Sequence, residues 1–339
     1  MKQKILITGG AGYIGSHTAV TLVNAGFEPI IIDNFCTSEK SAIDGLSKII
    51  GFRPIVIEGD CNEPSVLDQL FTEHNIEGVI HFAAFKAVGE STQLPLKYYH
   101  NNIGSLVLLL EKMQKFNVKN LVFSSSCTVY GEPKVLPATE DTPRQEAESP
   151  YGNTKKICED ILLDVTKSNA GNKIISLRYF NPIGAHPSSE IGELPIGVPA
   201  NLVPFITQTA IGKREKLTVF GDDYDTPDGT CVRDYIHVMD LADAHVKALM
   251  YLSKQEDNFY DILNVGTGNG NTVLEVVKTF EKVSGNNLNY QIGPRRPGDV
   301  VKTWASTEKI TRLLGWKPQY SLEDSLRDAW NWELKLAKR

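Results

Sequence analysis

The sequence predicts an α/β fold, a doubly wound parallel sheet followed by a smaller and less regular C-terminal unit. Three observations carry that prediction. A short apolar strand at the N-terminus runs straight into a glycine-rich turn and a helix. Further apolar strands recur with helical stretches between them, the pattern of parallel strands joined by crossovers. Beyond Asn181-Pro182 the alternation gives way to a stretch rich in Pro and Gly.

Lys4-Ile5-Leu6-Ile7-Thr8 is the first strand, and it enters Gly9-Gly10-Ala11-Gly12-Tyr13-Ile14-Gly15. Ala19, Val20, Leu22 and Val23 mark the helix that follows. Residues 10–15 satisfy Gly-x-Gly-x-x-Gly, and Gly9, Gly12 and Gly15 also give Gly-x-x-Gly-x-x-Gly. Such glycines permit a tight turn and let a pyrophosphate approach backbone N–H groups at a helix N-terminus. Pro29-Ile30-Ile31-Ile32-Asp33 is the second strand, and its closing acid lies 18 residues past Gly15. A carboxylate there accepts from a ribose hydroxyl, which favours NAD over NADP. The bland alternative is a tight turn with an ordinary strand-ending aspartate.

Strands over 55–60, 79–84 and 121–126 continue the alternation, with helices expected over 65–74 and 96–116. The strand at 121–126 ends in three serines, and a sixth strand covers 174–179. In such sheets ligands lie beyond the carboxyl ends of the strands, so Asp33, Asp60, Ala84 and Ser126 are expected to border one crevice. The expected organisation is a dinucleotide-binding domain over 1–181, to which 233–268 return. A substrate domain over 182–232 and 269–339 is expected to close over the crevice. The basic turn Arg295-Arg296-Pro297-Gly298-Asp299 offers two arginines for a phosphate, or a pair of solvated surface charges.

A chain of 339 residues with 41% apolar and 22% charged residues is of the globular kind. The formal net charge of −6 supplies no attraction for nucleic acid or an anionic membrane surface. Five cysteines, odd in number and without a Cys-x-x-Cys pair, point to reduced thiols in a cytoplasmic setting and suggest no metal site. Ile5-Leu6-Ile7 is too short for a secretory signal, and the aliphatic run from Leu106 to Leu110 stops at Glu111, so no membrane span is expected.

The chemistry concentrates at Ser149-Pro150-Tyr151-Gly152-Asn153-Thr154-Lys155. Ser149 is a good N-cap, Pro150 suits the first helical position, and Ile157, Ile161, Leu162 and Val165 recur at helical spacing. Tyr151 and Lys155 therefore share one helix face. An ammonium beside a phenol favours the phenolate and lowers its pKa toward the range of a useful base. Tyr130-Gly131-Glu132-Pro133-Lys134 has the same spacing, but Gly131 and Pro133 work against a continuous helix.

A glycine turn, an acid closing strand two, serine closing strand five and a helical Tyr-x-x-x-Lys together resemble the extended short-chain dehydrogenase/reductase family. Within it, five stretches look like the UDP-glucose 4-epimerases. They are Gly-Tyr-Ile-Gly-Ser-His-Thr (12–18), Lys-Ala-Val-Gly-Glu-Ser (86–91), Arg-Tyr-Phe-Asn-Pro (178–182), Gly-Ala-His-Pro (184–187) and Arg-Asp-Tyr-Ile-His-Val-Met-Asp-Leu-Ala (233–242). The resemblance spans essentially the whole chain. It implies a Rossmann domain with tightly held NAD, and an isomerase that interconverts UDP-glucose and UDP-galactose through a 4-ketose. Tyr151, lowered in pKa by Lys155 and the cationic nicotinamide, would take the proton of the sugar 4-hydroxyl. Ser126 would hydrogen-bond that hydroxyl.

By motif position the resemblance puts cofactor contacts on Gly9, Gly12, Tyr13, Ile14, Gly15, Asp33, Asn34, Asp60, Cys61, Phe82, Ala83, Ala84, Lys86, Asn101 and Phe180. Ser126, Tyr151 and Lys155 are implied to touch the cofactor as well. Nucleotide-sugar contacts fall on Ser126, Asn181, Asn201, Leu202, Phe220, Arg233, Tyr235, Arg296 and Asp299. Four residues past Asp299, where a tyrosine would restrict the site to glucose and galactose, stands Thr303, so N-acetylated UDP-sugars are expected to fit. The family implies a homodimer packed through the helix ending near Phe116 and the Tyr151 helix, whereas periodicity alone reads Leu106 to Met113 as core. The competing readings are a nucleotide-sugar 4,6-dehydratase, a UDP-glucuronate decarboxylase or epimerase, and a non-catalytic NAD-sensing protein. The first places Asp-Glu directly after the strand-five serine or threonine; here Ser126 is followed by Cys127-Thr128. The last typically lacks the Tyr/Lys pair.

Overall fold

The structure is a computed structural model that describes residues 2–296 and 298–338. In chain order it begins β1 (Lys4–Thr8), α1 (Tyr13–Asn24), β2 (Glu28–Asp33), α2 (Lys40–Ile50), β3 (Ile55–Glu58), α3 (Pro64–Glu73) and β4 (Ile76–His81). Next come α4 (Val88–Gln93), α5 (Pro95–Tyr98), a π-helical turn at Tyr99–Ile103, α6 (Gly104–Lys115), β5 (Asn120–Ser124), α7 (Pro150–Lys167) and β6 (Lys173–Tyr179). They are followed by β7 (Asn181–Ile183), α8 (Leu202–Ala210), β8 (Leu217–Phe220), β9 (Val232–Arg233), β10 (Tyr235–His237), α9 (Val238–Leu252) and β11 (Phe259–Val265). The chain closes with β12 (Asn271–Thr272), α10 (Val273–Ser284), β13 (Tyr290–Gly293), β14 (Lys302–Thr303), α11 (Glu308–Leu314) and α12 (Leu322–Leu336).

The chain packs into two units. The first comprises Met1–Val129, Glu146–Tyr179 and Ala242–Leu263. Its sheet runs β11-β6-β5-β4-β1-β2-β3, and the pairs from β3 across to β6 are parallel. The order reverses between β1 and β4, the switch point at which a doubly wound Rossmann sheet leaves a ligand crevice. Ile5, Leu6 and Ile7 are at most 2% exposed, which explains why these strands read as unbroken apolar runs. On one face Leu6, Ile30, Val79, Leu121 and Phe123 meet Leu67 and Leu70 of α3, Leu106, Leu109 and Met113 of α6, and Leu162 of α7. Burying each such side chain contributes about 1.5–3 kcal/mol. Leu106 to Met113 is therefore core on its inner face, as periodicity expects.

The second unit comprises Tyr130–Gln145, Phe180–Leu241 and Asn264–Arg339. Its core joins Val203 and Ile206 of α8, Leu217 and Val219 of β8, Val276, Val277 and Phe280 of α10, and Leu326 and Ala329 of α12. Capping boxes start α10 (Thr272 with Glu275) and α12 (Ser321 with Asp324).

The divisions differ from the expected ones at 130–145, 180–181, 233–241 and 264–268, all of which belong to the second unit. Residues 130–145 go with the second unit, because Ala138 exchanges backbone hydrogen bonds with Trp304 and Ser306, and Asn264 holds both the Tyr130 hydroxyl and the Ala138 carbonyl. Residues 233–241 stay there too, since β10 pairs with β7 and β9 with β12 and β14. Only 242–263 return to the first unit. The helix expected over 96–116 is broken into α5, the π turn and α6, and α2, α4 and α8 were not anticipated. Strands three to five end at Glu58, His81 and Ser124, two or three residues earlier than expected. Asp60, Ala83, Ala84 and Ser126 consequently stand on the loops just beyond the strand ends.

Candidate active site

The sequence-predicted residues divide between the two units, and each set is organised within its own. In the first, the turn from β1 to α1 depends on its glycines. Gly9 has φ +66, and a Cβ there would lie 2.9 Å from Ala83 N. A Cβ on Gly15 would overlap the Gly9 carbonyl and stand 2.7 Å from Gly10 Cα. Gly12 differs, since its Cβ would meet nothing closer than the Gly9 oxygen at 3.1 Å. Asp33 is tied to this turn directly. One carboxylate oxygen accepts from Ala11 N at 3.0 Å, and the other from Phe35 N at 2.9 Å and Ser38 Oγ at 2.8 Å. A carboxylate offers about four lone-pair sites, so one remains for a ribose hydroxyl. The open face at Gly12 and the spare acceptor on Asp33 fit a dinucleotide.

Around Asp33 the other candidates form a polar chain. Asn34 and Asn62 donate to the Asp60 carboxylate at 2.9 and 3.0 Å, and Asn62 also donates to Asn101 Oδ1 at 3.2 Å. Asn101 belongs to the π turn, a distortion that often accompanies functional positions. Tyr13 and Ile14 open α1, Phe82, Ala83 and Ala84 follow β4, and Lys86 stands exposed on the same loop. Cys61 is buried against the core, and burial, with Asp60 and Asp33 nearby, pushes its thiol up to about 12, away from the thiolate form.

The structure brings Ser126, Tyr151 and Lys155 together beside the end of β5. Ser149 Oγ accepts from Gly152 N at 3.2 Å and starts α7 as the sequence predicts. The Ser126 hydroxyl stands beside the Tyr151 phenol, near enough to favour its ionisation. Lys155 Nζ lies 5.9 Å from the Tyr151 ring centre and donates to the Ser124 carbonyl at 2.7 Å. Burial, aided by neighbouring Tyr179, pushes the phenol above its usual range, against the effect of Ser126. Desolvation therefore outweighs the lowering expected from the ammonium. Burial also holds Lys155 down at about 8. Sequence reasoning missed Ser124 and Tyr179, whose hydroxyls are 2.8 Å apart. The signal was present, because Ser124 belongs to the serine run and Tyr179 to the 178–182 stretch.

The remaining candidates belong to the second unit. Phe180 is 3% exposed. Asn181 is register-paired with Tyr235 across β7 and β10, and its Oδ1 is buried with no partner. Arg233 is register-paired with Thr303 across β9 and β14. Asp299 receives Arg296 through Nε at 3.1 Å and Nη2 at 2.6 Å, with Arg233 Nη2 at 3.7 Å. Two guanidiniums on one carboxylate leave a net positive charge and N–H donors to spare. Arg295, by contrast, is taken up by Asp223 at 2.7 Å and stacks 4.3 Å over Tyr224. Asn201 precedes α8 without a capping bond from its side chain, which donates to Glu193 at 2.6 Å; Leu202 follows it, and Phe220 is 42% exposed at the end of β8.

A family model described as GDP-mannose 4,6 dehydratase matches residues 6–329. A UDP-glucose 4-epimerase of Bacillus subtilis (strain 168) is 50% identical over 329 residues, 97% of this chain and 96% of the relative. A UDP-glucose 4-epimerase crystal structure from Stenotrophomonas maltophila, with bound NAD and formylated UDP-arabinopyranose, superposes with a TM-score of 0.96 at 44% identity, covering 99% of both chains. One from Bifidobacterium longum in complex with NAD+ and UDP gives 0.95 at 45% identity over 98% of both. Fold, glycine turn and Ser-Tyr-Lys centre define the class, an extended short-chain dehydrogenase/reductase. With half its residues shared along nearly its whole length, the chain belongs to the UDP-glucose 4-epimerase family.

Proposed function

We infer that the chain inverts C4 of a UDP-hexose, interconverting UDP-glucose and UDP-galactose, with NAD as its cofactor. The observation that carries this reading is the meeting of Ser126, Tyr151 and Lys155 in a unit whose glycine turn is bonded to Asp33. Bound NAD supplies reversible acceptance of hydride, so C4 can pass through a ketone and regain either configuration with no net redox change. Tyr151 takes the proton of the 4-hydroxyl and later returns it. Ser126 holds that hydroxyl and the phenol on one hydrogen-bond path. Lys155 supplies the positive charge that favours the phenolate. Arg233, Arg296 and Asn181 hold the nucleotide diphosphate and sugar, a role supported by the arginine pair on Asp299 and the unpartnered Asn181 oxygen.

The dehydratase reading has the name of the family model in its favour. Against it, Ser126 leads into Cys127–Tyr130, a turn without an acid to protonate a leaving hydroxyl. Thr303, small and 6% exposed, supports acceptance of N-acetylated UDP-sugars alongside the glucose pair. Val88, Leu94, Leu96 and Val107 are exposed on the segment leading into and along α6, which supports a homodimer. Among the described residues no helix is long and apolar enough to cross a membrane. Among the described residues none of the five cysteines is in a disulfide, which supports a cytoplasmic, reducing compartment.

The test is to incubate purified protein with UDP-galactose and no added nicotinamide, following UDP-glucose by chromatography and absorbance near ~340 nm. Product without added cofactor is expected. No product even with NAD supplied, or NADH accumulating in step with sugar loss, would overturn the reading.

A further inference from the structure

We propose that Glu159 and Arg178 are positioning residues, a buried ion pair that sets the strand-end segment bearing Ser126 against the helix bearing Tyr151 and Lys155. This rests on the epimerase reading above. Glu159 follows Lys155 by four residues and Tyr151 by eight, so all three occupy one face of α7. One Glu159 oxygen accepts from Ser125 Oγ at 2.6 Å and Arg178 Nε at 2.9 Å; the other accepts from Arg178 Nη2 at 2.7 Å. The acid and guanidinium side chains are 2% and 3% exposed, and Ser125 is fully buried.

Three consecutive serines at the end of β5 thus each meet a different residue of that helix face. Ser124 receives Lys155 on its carbonyl, Ser125 donates to Glu159, and Ser126 stands beside the Tyr151 phenol. Arg178 anchors the same carboxylate to β6, and the next residue, Tyr179, bonds the Ser124 hydroxyl. A buried ion pair adds little net stability over well-packed apolar side chains of similar volume. It does add direction, because two parallel N–H···O bonds fix the carboxylate plane and leave a lone pair aimed at Ser125. A displacement of about 1 Å between reacting groups can cost on the order of a hundredfold in rate. The pair sits where such a displacement would arise.

The experiment compares wild type, Ser125→Ala and the double variant Glu159→Met/Arg178→Met. Wild-type turnover of UDP-galactose is the baseline, and its absence would sink the epimerase reading, not this one. For Ser125→Ala, kcat is expected to fall about tenfold or more with KM, UDP affinity by calorimetry and melting temperature near wild type. The double variant should melt within a few degrees of wild type, bind UDP as tightly and lose kcat at least as severely. Wild-type kcat in Ser125→Ala would overturn the proposal. So would a double variant whose kcat, UDP affinity and melting temperature all fall together, the mark of a structural role. If the double variant does not fold, Ser125→Ala decides alone.

Discussion

The Lys155 ammonium is held by the Ser124 carbonyl at 2.7 Å, two residues before the serine that stands beside Tyr151. Helix α7 and the end of β5 are thereby locked in one register, and the charge is fixed beside the phenol without needing to touch its oxygen. Burial opposes ionisation of both groups, raising Tyr151 and lowering Lys155. Neither member of the pair gains by being charged alone.

Tyr151→Phe removes the proposed proton acceptor while leaving the buried ring in place. Its kcat for UDP-galactose is expected to fall by about 10²–10⁴, with circular dichroism and UDP affinity unchanged. Retention of more than about a tenth of the activity would point to another base.

Lys155→Met tests the cost of the buried ammonium through pH. Below pH 8 the lysine is charged in both folded and unfolded chains, so the burial penalty is borne in full. Between the folded value of about 8 and the ordinary 10.5, the unfolded chain binds the proton and the folded one does not. Stability contributed by this group therefore rises with pH across that window, by on the order of 1–3 kcal/mol. The melting temperature of the methionine variant minus that of wild type is expected to fall between pH 7.5 and about 10. A difference flat with pH would show that Lys155 is not desolvated as described. The variant should lack epimerase activity at either pH.

The sheet was legible because parallel strands buried on both faces print as apolar runs, and Ile5-Leu6-Ile7 or Ile30-Ile31-Ile32 admit no other reading. Ser149 and Pro150 made the start of α7 equally plain. The helix breaks before α6 were not legible, because the bonds holding Asn102 to Phe85 and Thr154 are tertiary and leave no local pattern. The return of 130–145 to the second unit was hidden for the same reason, since it is fixed by Asn264 and Trp304, far away in sequence. Burial raises the Tyr151 phenol, an effect that spacing does not print, since spacing reveals a neighbouring charge but not the depth of burial.

The glycine turn separates fold from cofactor. Gly15→Ala forces a methyl into the backbone of Gly9 and Gly10, so it is expected to lower stability by about 1–3 kcal/mol in urea titration. Gly12→Ala meets only the Gly9 oxygen, at 3.1 Å, a tight contact but a milder one, so it should cost less stability than Gly15→Ala. What it fills is the open face of the cradle, and the purified variant is expected to carry less nicotinamide, measured after acid release. Full cofactor content in Gly12→Ala would remove that face from the binding site.

Thr303 is buried on β14 opposite Arg233, so its side chain is held by the same short sheet as one of the nucleotide-binding candidates. On the proposed reading, a phenol at this position would exclude the acetamido group that the smaller threonine admits. Thr303→Tyr is therefore expected to lower kcat/KM for UDP-N-acetylgalactosamine by at least about tenfold, the scale on which a pocket rejects a modest increase in bulk. For UDP-galactose, which lacks the acetamido group, kcat/KM should change by less than about threefold. The comparison is made on one protein preparation with both substrates, so a loss of folded enzyme lowers both values equally and leaves their ratio untouched. An unchanged ratio, or a wild-type enzyme that turns over UDP-galactose alone, would show that Thr303 does not set the choice of sugar.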